Sequence, residues 1–339
     1  MCDLWPKICF FEMSGKRYLA LTGGIGGSKL ALGLSKILGA DELGFIVNTG
    51  DDFKHLGLHI SPDIDTLVYT LAGLNNPDTG WGRRDESWQF MSALEDLGGE
   101  TWFKLGDKDL ALNIERSRRL GRGDSLSKVT GHLAKSLGVL HAILPMSNDP
   151  VRTRVHTEDG AMDFQQYFVR ERCEPVVRSF EYSRAETAAL NPDIEAWFES
   201  EQLGGVILCP SSPFISIDPI LSVPLLRDAL RQCTAPVISI SPIVNGRALK
   251  GPLAKFMQEM SLPATACWVA EHYADFLDGF VIDEADETLA NEIEALGMAT
   301  LCRNTVMHSM DDRLQLARDS LEFIASLSQS DRRKAVSGE

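Results

Sequence analysis

The chain has 339 residues, 44% hydrophobic and 24% charged, enough for one large or two modest globular domains with a sizeable core. A formal net charge of −15 excludes a general nucleic-acid or membrane-surface binder, whose footprint would be basic. Seven scattered cysteines without a CxxC, histidines without an HExxH and no apolar run of membrane length argue against a disulfide framework, a zinc site or a spanning helix, so a reduced, cytoplasmic protein is expected.

Residues 1–16 lack the apolar core and cleavage site of a signal peptide and read as a loose extension, or as a mis-start with Met13 the true first residue. The strand "RYLALTG" then runs into "GIGGSKLALGLSKIL". A P-loop needs GxxxxGK[ST], and here Ser28-Lys29-Leu30 stands where the pattern requires Gly-Lys-Ser/Thr. A dinucleotide fingerprint needs GxGxxG, and from Gly24 and Gly26 the third position is Lys29. Both patterns fail, but the physics behind them remains. Gly23, Gly24, Gly26 and Gly27 let the backbone approach a ligand, a helix opening at about Ser28 would aim its N–H groups at an anion, and Lys29 adds a charge. A ligand-free tight turn is the plainer alternative.

The second strand, "LGFIVNTG", leads into Asn48–Asp52, "NTGDD". Adjacent Asp51 and Asp52 beside a phosphate turn suit Mg²⁺, which takes one or two carboxylates plus substrate phosphates; a capped turn would look the same. Ser61-Pro62 predicts an N-cap and first position for the helix "DIDTLVYTLAGL", whose dipole would favour Asp63 and Asp65 in its first turn. "KLGDKDLA" gathers Lys104, Asp107, Lys108 and Asp109 around a glycine, and Ser125 of "RGDS" reads as an N-cap.

The strand "GVLHAILPM" precedes the polar loop holding Asn148, and residues 151–182 read as a β-rich insertion of three antiparallel strands, "VRTRVHT", "AMDFQQYFVR" and "PVVRSFEY". "GGVILCP" precedes a second polar loop with Ser211 and Ser212; "APVISISPI" and "GFVID" are further strands, and "DDRLQLARDSLEFIASL" is an amphipathic helix before a tail at 329–339. The alternation of strand and helix predicts an α/β, Rossmann-like, doubly wound and mostly parallel sheet in a single domain over 17–328. With no GxSxG and an inventory of acids, glycines, serines and lysines, the site chemistry fits metal-assisted transfer of a phosphorylated group better than acyl transfer.

Taken in order, "TGGIGGSKL", "NTGDD", "SPDIDTLVYTLAG", "GWGRRDE", "KLGDKDLA", "LPMSNDPVRT", "DFQQYFVR", "PSSPFISIDPIL", "SPIVNGRALKGP", "VAEHYADFLDGFVID" and "NTVM" resemble the 2-phospho-L-lactate transferase family of coenzyme F-420 biosynthesis. The resemblance implies a Mg²⁺-dependent enzyme, usually a homodimer, that moves a phosphorylated three-carbon acid from a guanosine diphosphate ester to the ribityl hydroxyl of the deazaflavin Fo, releasing GMP. It implies that Asp63, Asp65 and Lys104 face the acceptor, with Asp65 taking the hydroxyl proton, and that Asn48, the glycine turn and the loops at Asn148 and Ser211-Ser212 face the donor. Ser212 stands where the family usually has asparagine and Asn245 where it has glycine, which leaves the transferred acid open among phospholactyl, phosphoenolpyruvyl and phosphoglyceryl groups. Two rivals are a non-enzymatic sugar-nucleotide-binding regulator, which would not need the acceptor motifs, and a nicotinamide oxidoreductase, which the second acid and missing third glycine disfavour.

Overall fold

Apolar runs covered on both sides build the centre of the molecule. In the computed structural model, which describes residues 15–248 and 251–327, seven strands form one sheet. They are β1 (Arg17–Thr22), β2 (Leu43–Val47), β3 (Ala142–Pro145), β4 (Leu203–Leu208), β5 (Val237–Ile240), β6 (Gly279–Ile282) and β7 (Ala299–Cys302). Their spatial order is β7-β6-β5-β4-β1-β2-β3, and every neighbouring pair is parallel. The winding direction reverses between β1 and β4, and in such sheets a ligand binds in the crevice outside the carboxyl ends of the strands at that reversal.

Strand side chains alternate between two apolar layers. Tyr18, Ala20, Phe45, Val47, Ile207 and Ile240 pack with Leu30 and Leu34 of α1 (Gly24–Ser35), Ile64 and Val68 of α2 (Pro62–Leu71), and Leu316 and Leu321 of the terminal helix Met310–Ser326. Leu19, Leu21, Ile46, Leu144, Val206, Leu208 and Phe280 form the other layer with Ile194, Phe256 and Val269. The terminal helix begins with a capping box: Ser309 accepts the Asp312 N–H while the Asp312 carboxylate accepts the Ser309 N–H. Ser125 likewise caps the helix Leu126–Ser136.

Four expectations change. Helix α1 opens at Gly24 rather than at Ser28, so its first turn is made of the glycines themselves. Ser61 does precede α2, but its hydroxyl donates to Asp52 instead of capping the helix. The insertion is a three-stranded antiparallel sheet of Arg152–Thr157, Gly160–Asp163 and Val177–Ser183, but "FQQYFVR" leaves the strand and turns helical at Gln166–Arg170. That turn sends Phe164 and Tyr167 into the same layer as Leu19 and Leu208, so the insertion shares the core of the domain. The edge strand β7 was not anticipated: "ATLC" is half-buried and lacks a strong β signal. Cys173, Cys209, Cys267 and Cys302 are free thiols. The expected N-terminal extension, apart from residues 15 and 16, and the C-terminal tail lie outside the described residues.

Candidate active site

A cavity of about 930 Å³ opens at the reversal between β1 and β4. Its floor is the glycine turn after β1 and the Pro210–Ser216 loop after β4, with Asp51 and Asp63 beside them. Close approach explains the glycines: a Cβ on Gly26 would sit 2.6 Å from the Pro210 carbonyl oxygen, and one on Gly23 would sit 2.6 Å from an Asp63 carboxylate oxygen. Ser211 holds the two loops together, its hydroxyl donating to the Gly23 carbonyl at 2.9 Å.

The N-terminus of α1 meets a carboxylate of the chain itself. The Gly24 N–H donates to Asp63 Oδ1 at 2.7 Å, and Asn48 Nδ2 donates to Asp63 Oδ2 at 2.9 Å and to Asp51 Oδ1 at 2.8 Å. Asn48 therefore fastens the loop after β2 to the first turn of α2. From the insertion, Gln165 Nε2 reaches Asp51 Oδ2 at 3.1 Å, a contact that spans 114 positions and has no signature in the sequence. Burial raises the Asp51 pKa well above its usual value, and the charges of Asp63 and Asp52 add to it. Burial also pushes Asp63 up to about 6, against the pull of the Asn48 and Gly24 hydrogen bonds.

Two buried carboxylates, each pushed up by burial and by the charge of Asp52, with Asp63 also raising Asp51, are a hard-oxygen pair short of positive charge. Among the described residues no group of three His, Cys, Asp or Glu side chains forms a ready cation cage. Two carboxylates completed by substrate phosphates is nevertheless how Mg²⁺ is commonly held, so Asp51 and Asp63 fit that ion. Asp52 does not join them: its Oδ2 takes His59 Nε2 at 2.9 Å and the Ser61 hydroxyl at 2.8 Å, and it does not line the cavity. Of the two expected metal carboxylates only Asp51 lines the cavity, where Asp63 shares the Asn48 amide with it, while Asp52 takes His59 and Ser61 on one oxygen and keeps the other buried without a hydrogen-bond partner among the described residues.

Asp65 is also displaced from the expected place. Both of its carboxylate oxygens take the guanidinium of Arg116, from the helix Asp107–Leu120, and it is not among the cavity-lining side chains. Arg116 is fully buried; burial works against its charge, but Asp65 more than offsets this and its pKa is raised. Asn148 lies on the exposed surface, where its Oδ1 accepts the Ser127 N–H and hydroxyl, each at 2.8 Å, and it does not line the cavity either. Gly27 packs on Thr22 and Ser211 beneath the floor.

Trp102 and Phe103, in edge contact with each other, and the following Lys104 line the cavity, as do Trp81, Phe164, Phe168 and Leu253. Thr305 to His308 also line it, anchored by Asp283, whose Oδ2 accepts the Thr305 N–H at 2.9 Å. Lys29 Nζ donates to the Met307 carbonyl at 2.9 Å, drawing that loop toward the glycine turn. Ser212 lines the floor, with no hydrogen-bond partner for its hydroxyl among the described residues. Asn245 has φ 49°, a left-handed conformation that asparagine tolerates.

A doubly wound parallel sheet with a cavity at its reversal point defines an α/β protein of the Rossmann-like class, in which ligands bind at that point. The model of the family described as 2-phospho-L-lactate transferase CofD matches residues 19–324, and the chain belongs to that family of transferases. A phosphoenolpyruvate transferase of Kitasatospora aureofaciens is 38% identical over 313 residues, 90% of this chain and 97% of that protein. A 2-phospho-L-lactate transferase of Methanosarcina mazei is 36% identical over 299 residues, 88% of this chain and 97% of that protein. A UPF0052-family protein of Bacillus halodurans has the same fold, with a TM-score of 0.57 at 16% identity over 92% of this chain and 99% of that one. No helix among the described residues is long and apolar enough to cross a membrane.

Proposed function

We propose that the protein transfers a phosphorylated three-carbon acid from its guanosine diphosphate ester to the ribityl hydroxyl of Fo, giving the F-420-0 type precursor and GMP. The observation that carries this reading is one cavity joining the Asp51–Asp63 floor and the glycine turn to an aromatic lining and Lys104. A diphosphate suits the floor, and a fused heteroaromatic acceptor suits the aromatic lining.

In this reading the hydroxyl oxygen of Fo attacks the phosphorus that carries the three-carbon acid. A new P–O bond forms there, the P–O bond to GMP breaks, and the hydroxyl proton leaves on the phosphate of departing GMP. Asp65, tied to Arg116, serves the site by holding α2 rather than by taking that proton. Mg²⁺ on Asp51 and Asp63 would neutralise charge on the diphosphate and on departing GMP. Ile25 and Gly26, which line the cavity, would turn their N–H groups to the same oxygens, the Gly23 and Gly24 N–H groups being held by Ser211 and Asp63. Positioning two substrates in one cavity is itself worth roughly 7–11 kcal/mol in well-aligned systems.

Relatives named for phospholactate and for phosphoenolpyruvate match this chain at 36% and 38% identity, so both acids remain donors to test. Calorimetry with GDP and Fo, singly and together, tests the shared cavity. Simultaneous binding is expected, and strict competition between the two would contradict the reading.

A further inference from the structure

Trp81 lines the cavity and is nevertheless 50% exposed. Large aromatic side chains left half in water at a cavity mouth mark contact surface for another ring. The turn that carries it is well defined. Asn75 and Arg83 form an antiparallel bridge, the Asn76 N–H donates to the Gly82 carbonyl at 3.1 Å, and the Thr79 hydroxyl donates to the Trp81 carbonyl at 2.7 Å. Arg83 anchors the base, its guanidinium 5.5 Å from the centre of the Tyr69 ring.

Trp81 is flanked by Gly80 at φ 80° and Gly82 at φ 68°, conformations that L side chains rarely adopt. Gly80 also seats the turn: a Cβ there would come within 2.8 Å of Ile25 Cγ2, and Ile25 belongs to the glycine turn of the cavity floor. On its far side the segment is fastened to the start of the helix that follows Lys104. Glu86 accepts the N–H groups of Lys108 and Asp109, each at 2.9 Å, and Asp107 accepts the Ser87 hydroxyl at 2.6 Å. The indole is thus fixed between the glycine turn and the loop that presents Lys104.

We propose that Trp81 is a specificity-determining residue for the acceptor, stacking its exposed indole face on the planar ring system while Lys104 serves the polar edge of that ring system. A three-carbon acid and a ribose offer no ring face; of the two fused heteroaromatics in the reaction, the deazaflavin and guanine, the tie of this segment to the helix that follows Lys104 assigns the surface to the deazaflavin. The proposal rests on the function proposed above.

Trp81→Ala removes the ring and Trp81→Phe keeps one. The side chain is half exposed and the turn is held by backbone and Thr79 bonds, so both variants should melt within a few degrees of wild type, which the thermal scan checks. Calorimetry with Fo and with GDP, and initial rates against Fo, give the answer. Trp81→Ala should weaken Fo binding and raise its KM roughly 5- to 150-fold, the usual span for one aromatic stacking contact, with GDP affinity held within about twofold. Trp81→Phe should recover most of the loss. Unchanged Fo affinity in folded Trp81→Ala overturns the assignment, as does a loss confined to GDP, which would give the ring to guanine. Equal losses for both ligands also overturn it, as a general disturbance. A wild-type protein that fails to bind Fo contradicts the functional reading and this assignment together. Wild type and Trp81→Ala binding Fo equally well removes the assignment alone.

Discussion

Replacing Asp63 by asparagine should flatten the pH dependence of stability while removing activity. Burial, which disfavours its charge, pushes the Asp63 carboxyl up to about 6, against 3.8 for an aspartate in the unfolded chain. The native state therefore binds the proton more tightly than the unfolded chain. Stability from this group is fully present below about pH 4 and is lost as pH rises through about 6. The whole loss is about 3 kcal/mol, and the part falling between about pH 5 and about pH 7.5 is about 1.4 kcal/mol. Asparagine at 63 does not titrate, and with one acceptor oxygen it can serve either the Gly24 N–H or Asn48 Nδ2, not both. The forfeited bond lowers stability by roughly 1–3 kcal/mol at every pH, without altering the slope. Removing the Asp63 charge also relieves Asp51, whose raised pKa it helps to sustain, so the flattening should be at least the 1.4 kcal/mol attributed to Asp63 itself. Urea unfolding with chelator present, from about pH 5 to about pH 7.5, reads the difference, and turnover with Mg²⁺ should drop on the order of 10²-fold or more. Parallel pH curves for the two proteins, or a folded variant within about threefold of wild-type turnover, would refute the reasoning.

Mg²⁺ should raise the wild-type unfolding midpoint at about pH 7.5, with no effect on Asp51→Asn, and exhaustive chelation should stop turnover; full activity with chelator present would contradict the acid-pair site. Gly26→Ala forces a Cβ against the Pro210 carbonyl, 2.6 Å away, and should lower stability by roughly 1–3 kcal/mol and weaken GDP binding, seen by denaturant unfolding and calorimetry. Arg116→Met leaves Asp65 as a buried, unpaired carboxylate and should cost roughly 3–5 kcal/mol, most of it recovered when Asp65→Leu is added. A single variant as stable as wild type would show that the pair is dispensable.

The sheet was legible because strands buried on both faces read as unbroken apolar runs, as in "LGFIV" and "GGVIL". The exception, β7, lies at the sheet edge, where burial is partial and the residue types are mixed. The start of α1 was misplaced because glycine is a poor helix former, and here its use is dictated by the Pro210 carbonyl, a constraint that only the folded chain shows. Of the site, the glycine turn, Asp51, Asp63 and Lys104 could be read from local motifs. Their sorting could not: Asp52, Asp65 and Asn148 share those motifs, and the structure turns them toward His59, Arg116 and Ser127 instead. Gln165 and Arg116 are distant in sequence from Asp51 and Asp65, the groups they hold, and no spacing rule connects them.

The central claim is transfer of a phosphorylated three-carbon acid to Fo within this cavity. Incubation of the protein with Fo, Mg²⁺ and each of the phospholactyl, phosphoenolpyruvyl and phosphoglyceryl guanosine diphosphate esters, followed by mass measurement of the deazaflavin, tests it most directly. Fo should gain the mass of the phosphorylated acid from at least one ester, with one GMP released per product. Unmodified Fo with every ester, under conditions where calorimetry shows Fo and GDP both bound, would contradict the account.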